Sequence, residues 1–378
     1  VFILLGVGIV MLTSASSMRD QSSLVRSQSL YMVVGLVAAV VMACTDYRVW
    51  GQCIWVLVAL GAVGLILCYV PGVGHRIKGA SRWIGFGGFT VQPSEFAKIV
   101  ILLFLGWWYG KNTKQIHTFW IGFLAPGLVV GALLGLILFE KDIGTTLLLA
   151  GVTFVVWFVA GVRWHYLAVS GLAAGLLVSV VIMKDPERMR RIEAYVQKKT
   201  EQQHAGSPGG GKAAKDKHAL GEDYQQQQSL IALGSGGPLG LGLGESRQKM
   251  YYVPEAHTDF IFSIIGEELG MRATLMIVLC YVVVAATGGY IAVMAKDATG
   301  SLLATGIVTL VSFQAFINIG VVTKLLPNKG LALPFISAGG SNMVACMALV
   351  GLLISVAKHS PRSVVSPQNV PFPQGGMA

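Results

Sequence analysis

The sequence predicts an all-α fold: a polytopic membrane helical bundle of about ten transmembrane helices, with one large loop between the seventh and eighth. Three observations carry that expectation. Hydrophobic residues make up 54% of the 378 and charged residues only 12%, about half the charged share usual in a soluble domain. The mean hydropathy is +0.67. The apolar runs repeat at the length of a membrane helix, and helices satisfy their own backbone polar groups in lipid.

Apolar runs bounded by charge place the helices near 1–14, 29–44, 52–70, 94–110, 119–139, 144–161, 165–183, 260–294, 300–325 and 341–357. The first run reads as the back half of a span, so the chain is expected to begin inside its first helix, with no cleavable signal peptide. The eighth is long for one span and is expected to tilt or to extend beyond the bilayer. Trp50, Trp55, Trp107, Trp108, Trp120 and Trp164 fall at proposed boundaries, where an amphipathic ring prefers to lie. The expected organisation is helices 1–7 over 1–183, a loop over 184–258, helices 8–10 over 259–357 and a disordered tail over 358–378.

The long loop is not uniform. "KDPERMRRIEAYVQKK" suits a short basic amphipathic helix on the membrane surface. "EQQHAGSPGGGKAAKDKHALGED" has no apolar periodicity and reads as a flexible Gly/Lys-rich insert. "QQQQSLIALGSGGPLGLGLGESRQK" mixes apolar residues with glycines and is expected to fold back against the helices. No GK[ST] follows these glycines, so they do not form a nucleotide loop. Cys44, Cys53, Cys68, Cys280 and Cys346 show no CxxC spacing and read as small core residues.

Ten spans put both termini on one side. The short loops then hold seven basic residues on that side (Arg48, Lys111, Lys114, Arg163, Lys296, Lys358, Arg362) and eight on the other (Arg19, Arg26, Arg76, Lys78, Arg82, Lys141, Lys324, Lys329), which leaves orientation open. The net charge is +10, and nineteen of the 28 Lys and Arg lie on the face that also carries an acidic motif. On a membrane protein that excess points to an anionic lipid or a phosphate-bearing substrate rather than to nucleic acid.

Five polar clusters share this face, which suggests a common cavity. They are "KGASRWIGFGGFTVQPSE" with Lys78, Arg82, Gln92, Ser94 and Glu95; "FEKDIGT" with Glu140, Lys141 and Asp142; "GESRQK" with Arg247 and Lys249; "PEAHTDFIFSIIGEELG" with Asp259; and "LPNKGLALPFISAGGSN" with Lys329 and Ser337. Each has a plainer reading beside the functional one. Ser94 and Glu95 follow Pro93 and would start and cap a helix, and Asp142 would be an N-cap. Lys78, Arg82, Arg247 and Lys329 would each be a solvated interfacial charge, and His257 a hydrogen-bonding neighbour of Asp259.

On helical spacing Glu267 lies roughly 12 Å below Asp259 and about 80° around, so the three carboxylates of the acidic motif do not form one site. They do not suit a glycosidase pair, whose members stand roughly 5–9.5 Å apart. Glu267 and Glu268 are expected to pair with buried donors between helices. A lone carboxylate facing cations suits glycosyl transfer from a lipid-linked sugar diphosphate: it takes the proton of a sugar hydroxyl while Lys and Arg hold the departing diphosphate. The same cavity would also serve lipid transport, and the residues alone do not choose between the two.

"GASRWIGFGGFTVQPSE", "QSLIALGSGG", "PEAHTDFIFSIIGEELG" and "KGLALPFISAGGSN" resemble, in order over nearly the whole chain, the signature segments of the SEDS family of peptidoglycan glycosyltransferases, which polymerise lipid II. The second and third look closer to the division-type branch than to the elongation-type branch. The resemblance implies ten helices, cytoplasmic termini and an extracytoplasmic active site at the bacterial cytoplasmic membrane. It implies Asp259 as the catalytic general base, Arg82 and Lys329 as important basic residues, and Glu255 as the acidic residue before the aspartate. Substrate contacts expected on this basis are Lys78, Arg82, Glu95, Asp142, Arg247, Lys249, Glu255, His257, Lys329 and Ser337. The implied partners are a class B penicillin-binding protein, division-complex membrane proteins, lipid II and membrane lipids. No cofactor is identified; a divalent cation, magnesium or manganese, is open at the diphosphate. The chain departs from the family pattern at Ala338 and Asn342, at "EKD" before "GT", and in the Gly/Lys-rich insert. The alternatives are a flippase for lipid II or another anionic lipid, and a non-enzymatic division scaffold.

Overall fold

A computed structural model describes residues 1–17, 22–71, 73–77, 80–86, 89–183, 217–248, 258–327 and 330–360. Each of the ten apolar runs contains a helix. In order these are α1 (Phe2–Ser17), α2 (Ser22–Cys44), the short α3 (Tyr47–Gln52) with α4 (Ile54–Leu67), α5 (Pro93–Lys111), α6 (Ala125–Phe139), α7 (Ile143–Ala160), α8 (Trp164–Met183), α9 (Lys217–Ser235), α10 (Ile261–Met294), α11 (Ala298–Val322) and α12 (Gly340–His359). Of these α9 belongs to the long loop. Among the described residues six helical segments are long and apolar enough to cross a membrane, and the protein is a multi-pass membrane protein.

Local chemistry sets the boundaries. Asp46, Asp142 and Asp297 are the N-caps of α3, α7 and α11, each accepting a backbone N–H of the first turn. Gly161 ends α7 in the left-handed conformation, φ 89°. A π-helical turn, Phe119–Leu124, leads into α6. Pro126 has no N–H to give the Gly122 carbonyl, and the Tyr109 hydroxyl takes that acceptor instead, at 2.7 Å.

Three expectations are corrected. Residues 74–91, read as loop, contain a three-stranded antiparallel sheet of β1 (Gly74–Ile77), β2 (Ala80–Phe86) and β3 (Phe89–Val91), ordered 1-2-3. Ser94 and Glu95 lie in the first turn of α5, as expected, but do not cap it: Gln92 holds the cap position without a capping side-chain bond, and Pro93 opens the turn. The long eighth run carries a feature that its apolar length does not foretell. It breaks at Gly270, φ 77° and ψ −176°, a backbone conformation open essentially to glycine alone. Cys44 and Cys53 are exposed, so not all the cysteines are core residues.

The break divides α10 into unlike halves. Residues 261–268 are all buried, whereas beyond it Met271, Leu275, Met276, Leu279, Val282 and Val283 are more than half exposed, as a lipid-facing stripe should be. Met271 N–H bonds the Gly237 carbonyl, and Leu241 and Gly242 bond the carbonyls of Glu267 and Glu268. The glycine-rich segment therefore folds back on α10, as its composition predicts. One core cluster gathers α5, α7 and α11; a second joins α1, the buried half of α10, Leu333, Phe335, Ile336 and α12. Helices α2 and α12 touch backbone to backbone: Gly351 abuts the Ala39 carbonyl, and a Cβ on Gly35 would stand 3.2 Å from Met347. Small residues permit such approach where lipid removes the hydrophobic drive between helices.

Candidate active site

Asp259 lies in the turn before α10, not on the helix, so the helical angle expected between it and Glu267 does not apply. Two buried side chains hold that turn. Asn318 on α11 donates through Nδ2 to the carbonyls of Asp259 (2.8 Å) and Leu331 (2.7 Å). Ser337 donates to the Thr258 carbonyl at 2.6 Å while its oxygen accepts Leu333 N–H at 2.8 Å. The loop before α12 is thereby tied to the acidic turn, and Gly330 lies against the aspartate: a Cβ there would sit 2.5 Å from Asp259 Oδ2.

The same loop reaches two further elements. Gln314, one helical turn from Asn318, donates to the Ala332 carbonyl (2.8 Å) and to Asn342 Oδ1 (3.0 Å). Its oxygen accepts from Lys98 at 3.4 Å, and Lys98 Nζ sits 2.8 Å from both Glu95 oxygens. Leu331 packs against Gly144 at the start of α7, beside Asp142. Asp142 accepts from Thr145 N–H (3.1 Å), Thr145 Oγ1 (3.0 Å) and Gln92 Nε2 (3.3 Å). Gln92 N–H bonds Ser341 Oγ at 2.9 Å. Arg82 donates from Nε to the Glu140 carbonyl (3.2 Å) and from Nη2 to the Lys141 carbonyl (2.6 Å).

A polar network joined through the backbone of residues 331–342 thus links Asp259, Ser337, Glu95 and Asp142. The FtsW/RodA/SpoVE cell cycle protein profile matches residues 1–362. The chain belongs to the FtsW/RodA/SpoVE family. It is 38% identical over 357 residues to the probable peptidoglycan glycosyltransferase FtsW of Geobacter metallireducens, covering 93% of this chain and 90% of that one. It is 37% identical to the probable peptidoglycan glycosyltransferase FtsW of Pseudomonas fluorescens, over 99% of this chain and 90% of that one. Its identity to the stage V sporulation protein E of Bacillus subtilis is 36%, over 95% of each chain. Its fold is similar to a chain from a solved structure described as "Structural coordination of polymerization and crosslinking by a peptidoglycan synthase complex", with TM-score 0.76 and 25% identity over 95% of this chain and 96% of that one. The Thermus thermophilus rod shape determining protein RodA gives TM-score 0.67 and 25% identity over 95% of this chain and 94% of that one.

Within this FtsW/RodA/SpoVE chain the expected site residues are dispersed around the same loop and beyond it. Asp259 and Ser337 meet at the turn, with Ser337 buried as a clamp on its backbone. Asp142 is both a cap and a member of the network, and Glu95 is the buried partner of Lys98. Arg82 is fixed to the α6–α7 turn. Arg247 gives its backbone N–H to Glu267 at 3.0 Å and its side chain is exposed. Lys78, Lys249, Glu255, His257 and Lys329 lie outside the described residues.

Glu268 braces α10 against another helix, as expected, whereas Glu267 braces the segment 246–248 instead. Glu267 accepts from Ser246 Oγ and the N–H groups of Arg247 and Gln248. Glu268 accepts from Ser14 on α1 at 2.7 and 2.8 Å and from Gly244 N–H at 3.1 Å. Sequence reasoning missed Lys98, Gln314 and Asn318. The available signal was polar side chains at helical spacing inside apolar runs: Lys98 three residues after Glu95, and Asn318 four after Gln314. Asn342, a departure from the family pattern, serves as the Gln314 acceptor.

Proposed function

We infer that the chain is a peptidoglycan glycosyltransferase that polymerises lipid II into septal glycan strands, with Asp259 as the general base. The observation that carries this reading is the Asp259 turn, fixed by Asn318 and Ser337 in a chain 38% identical to a named peptidoglycan glycosyltransferase. The acceptor sugar hydroxyl attacks the anomeric carbon of the donor; a new C–O bond forms and the bond to undecaprenyl diphosphate breaks. Asp259 takes the hydroxyl proton. The electron pair leaves on the diphosphate, whose charge Arg82 and the basic residues of the neighbouring loops offset. A diphosphate is already a good leaving group, so the step needs no general acid.

Among the described residues no group of three His, Cys, Asp or Glu forms a cation cage. A magnesium or manganese ion would take most of its ligands from the diphosphate, with one or two carboxylates such as Asp259 alongside, and would neutralise the leaving charge. The site faces outward from the bacterial cytoplasmic membrane in this reading. The partners are a class B penicillin-binding protein, which cross-links the product, and division-complex membrane proteins. The likeness to a chain from a peptidoglycan synthase complex supports the first.

The test is polymerisation of lipid II by purified protein and its partner in lipid vesicles. Asp259→Asn should lower the rate by at least about 100-fold, the usual range for a lost general base. Strands made at the full rate would overturn the catalytic role. Translocated monomer without polymer from the unchanged protein would favour a flippase instead.

A further inference from the structure

The turn between α6 and α7 holds an ionisable group that the proposed reaction does not use. Glu140 is 1% exposed, and neither carboxyl oxygen accepts a hydrogen bond of ordinary geometry. Its own backbone carbonyl is one of the two acceptors that fix Arg82. Those bonds use Nε and Nη2, and neither acceptor carries a formal charge, so they orient the guanidinium without neutralising it.

Four groups face the Glu140 carboxyl. Cys68 and Tyr69 come from the end of α4, Arg82 from β2 and Asp142 from the start of α7. Lys141, next in the turn, is exposed. A buried carboxyl without good donors favours its neutral form. Burial pushes Glu140 up to about 8, against the Cys68 thiol and Arg82, which favour the charged form, and with Asp142, which opposes it.

We propose that Glu140 is a positioning residue for Arg82: uncharged, it leaves the guanidinium's charge for an incoming diphosphate, and ionised, it takes that charge as its own counter-ion. This rests on the reading of Arg82 as a diphosphate-binding group. A diphosphate brought to Arg82 repels an ionised Glu140, so substrate binds the protonated form better, and each favours the other. The effect belongs to substrate capture and therefore to KM.

The experiment follows polymerisation of lipid II in vesicles, with the partner present, from pH 7 to 9. One pH unit above the pKa about a tenth of the carboxyl stays neutral, so kcat/KM should fall about tenfold, mostly through KM. In Glu140→Gln the fall should be under about twofold. Infrared spectra of the unchanged protein should contain a protonated-carboxyl band at pH 7 that titrates away by pH 9 and is missing from Glu140→Gln. An alkaline fall identical in both proteins overturns the proposal, as does a carboxyl already ionised at pH 7. Failure of the unchanged protein to polymerise at any pH would instead overturn the polymerase reading, while the infrared titration still decides the state of Glu140.

Discussion

Lys98 lies in an apolar stretch of α5 with its ammonium nitrogen 2.8 Å from both oxygens of Glu95, and both side chains are almost fully buried. Removing one member of such a pair leaves an uncompensated buried charge, at a typical cost of roughly 3–5 kcal/mol. Lys98→Met should therefore lower the thermal midpoint sharply in detergent, and Lys98→Met with Glu95→Gln should recover most of the loss. Equal midpoints for the single and double variants would show that the pair does not act as a unit. The same contrast explains what the sequence made legible at this scale. Asp259 stood out because a carboxylate next to an apolar run is costly and needs a reason. Asn318, which holds its turn, did not, nor did Gln314 one helical turn away, because both look like ordinary polar residues until the loop before α12 is brought against them; Ser337 was legible only as a substrate contact, not as the clamp it is.

At the scale of elements, apolar length locates α10 but is silent about its break. Gly270 has φ 77°, and a Cβ on it would collide with the backbone of Leu239 and Gly240. A side chain there is opposed twice, by conformation and by contact. Gly270→Ala should cost about 1–3 kcal/mol and expose 236–244 to hydrogen exchange. Gly289→Ala is the control: that helical glycine has open space around its missing Cβ, and alanine is the better helix former. Equal exchange in both variants would mean the break does not hold the glycine-rich segment. The sheet of residues 74–91 escaped the sequence reading for a related reason. Its strands span only four, seven and three residues among glycines, too few for alternation to stand out.

Across the whole molecule, α11 carries polar anchors at both ends, about 30 Å apart by helical rise. Asn318 serves the candidate active site at one end. At the other, Asp297 ties α3 to α11: it accepts from Tyr47 (2.6 Å) and Arg48 (2.9 Å) of α3 and from Gly300 N–H (2.9 Å) of its own helix, while His359 at the end of α12 meets Asp46, the cap of α3. Burial works against the Asp297 carboxylate, but these donors outweigh it and hold it below the ordinary range. A lowered folded-state value contributes stability that is complete above the unfolded pKa of about 4 and is lost as pH falls through the folded value. The thermal midpoint should thus drop below about pH 4, and less steeply in Asp297→Asn; parallel curves would remove Asp297 from the acid response. The order and type of the helices were legible because apolar length suffices to find a span. How they pack was not, since contacts such as Gly351 on the Ala39 carbonyl join residues some three hundred positions apart. That seam has a consequence for biosynthesis. Helix α2 must wait in the bilayer for α12, so this seam closes only after some three hundred further residues have been made. Until then the exposed face of α2 is a surface that quality-control proteases can recognise, and a product truncated before Gly340 never leaves that state.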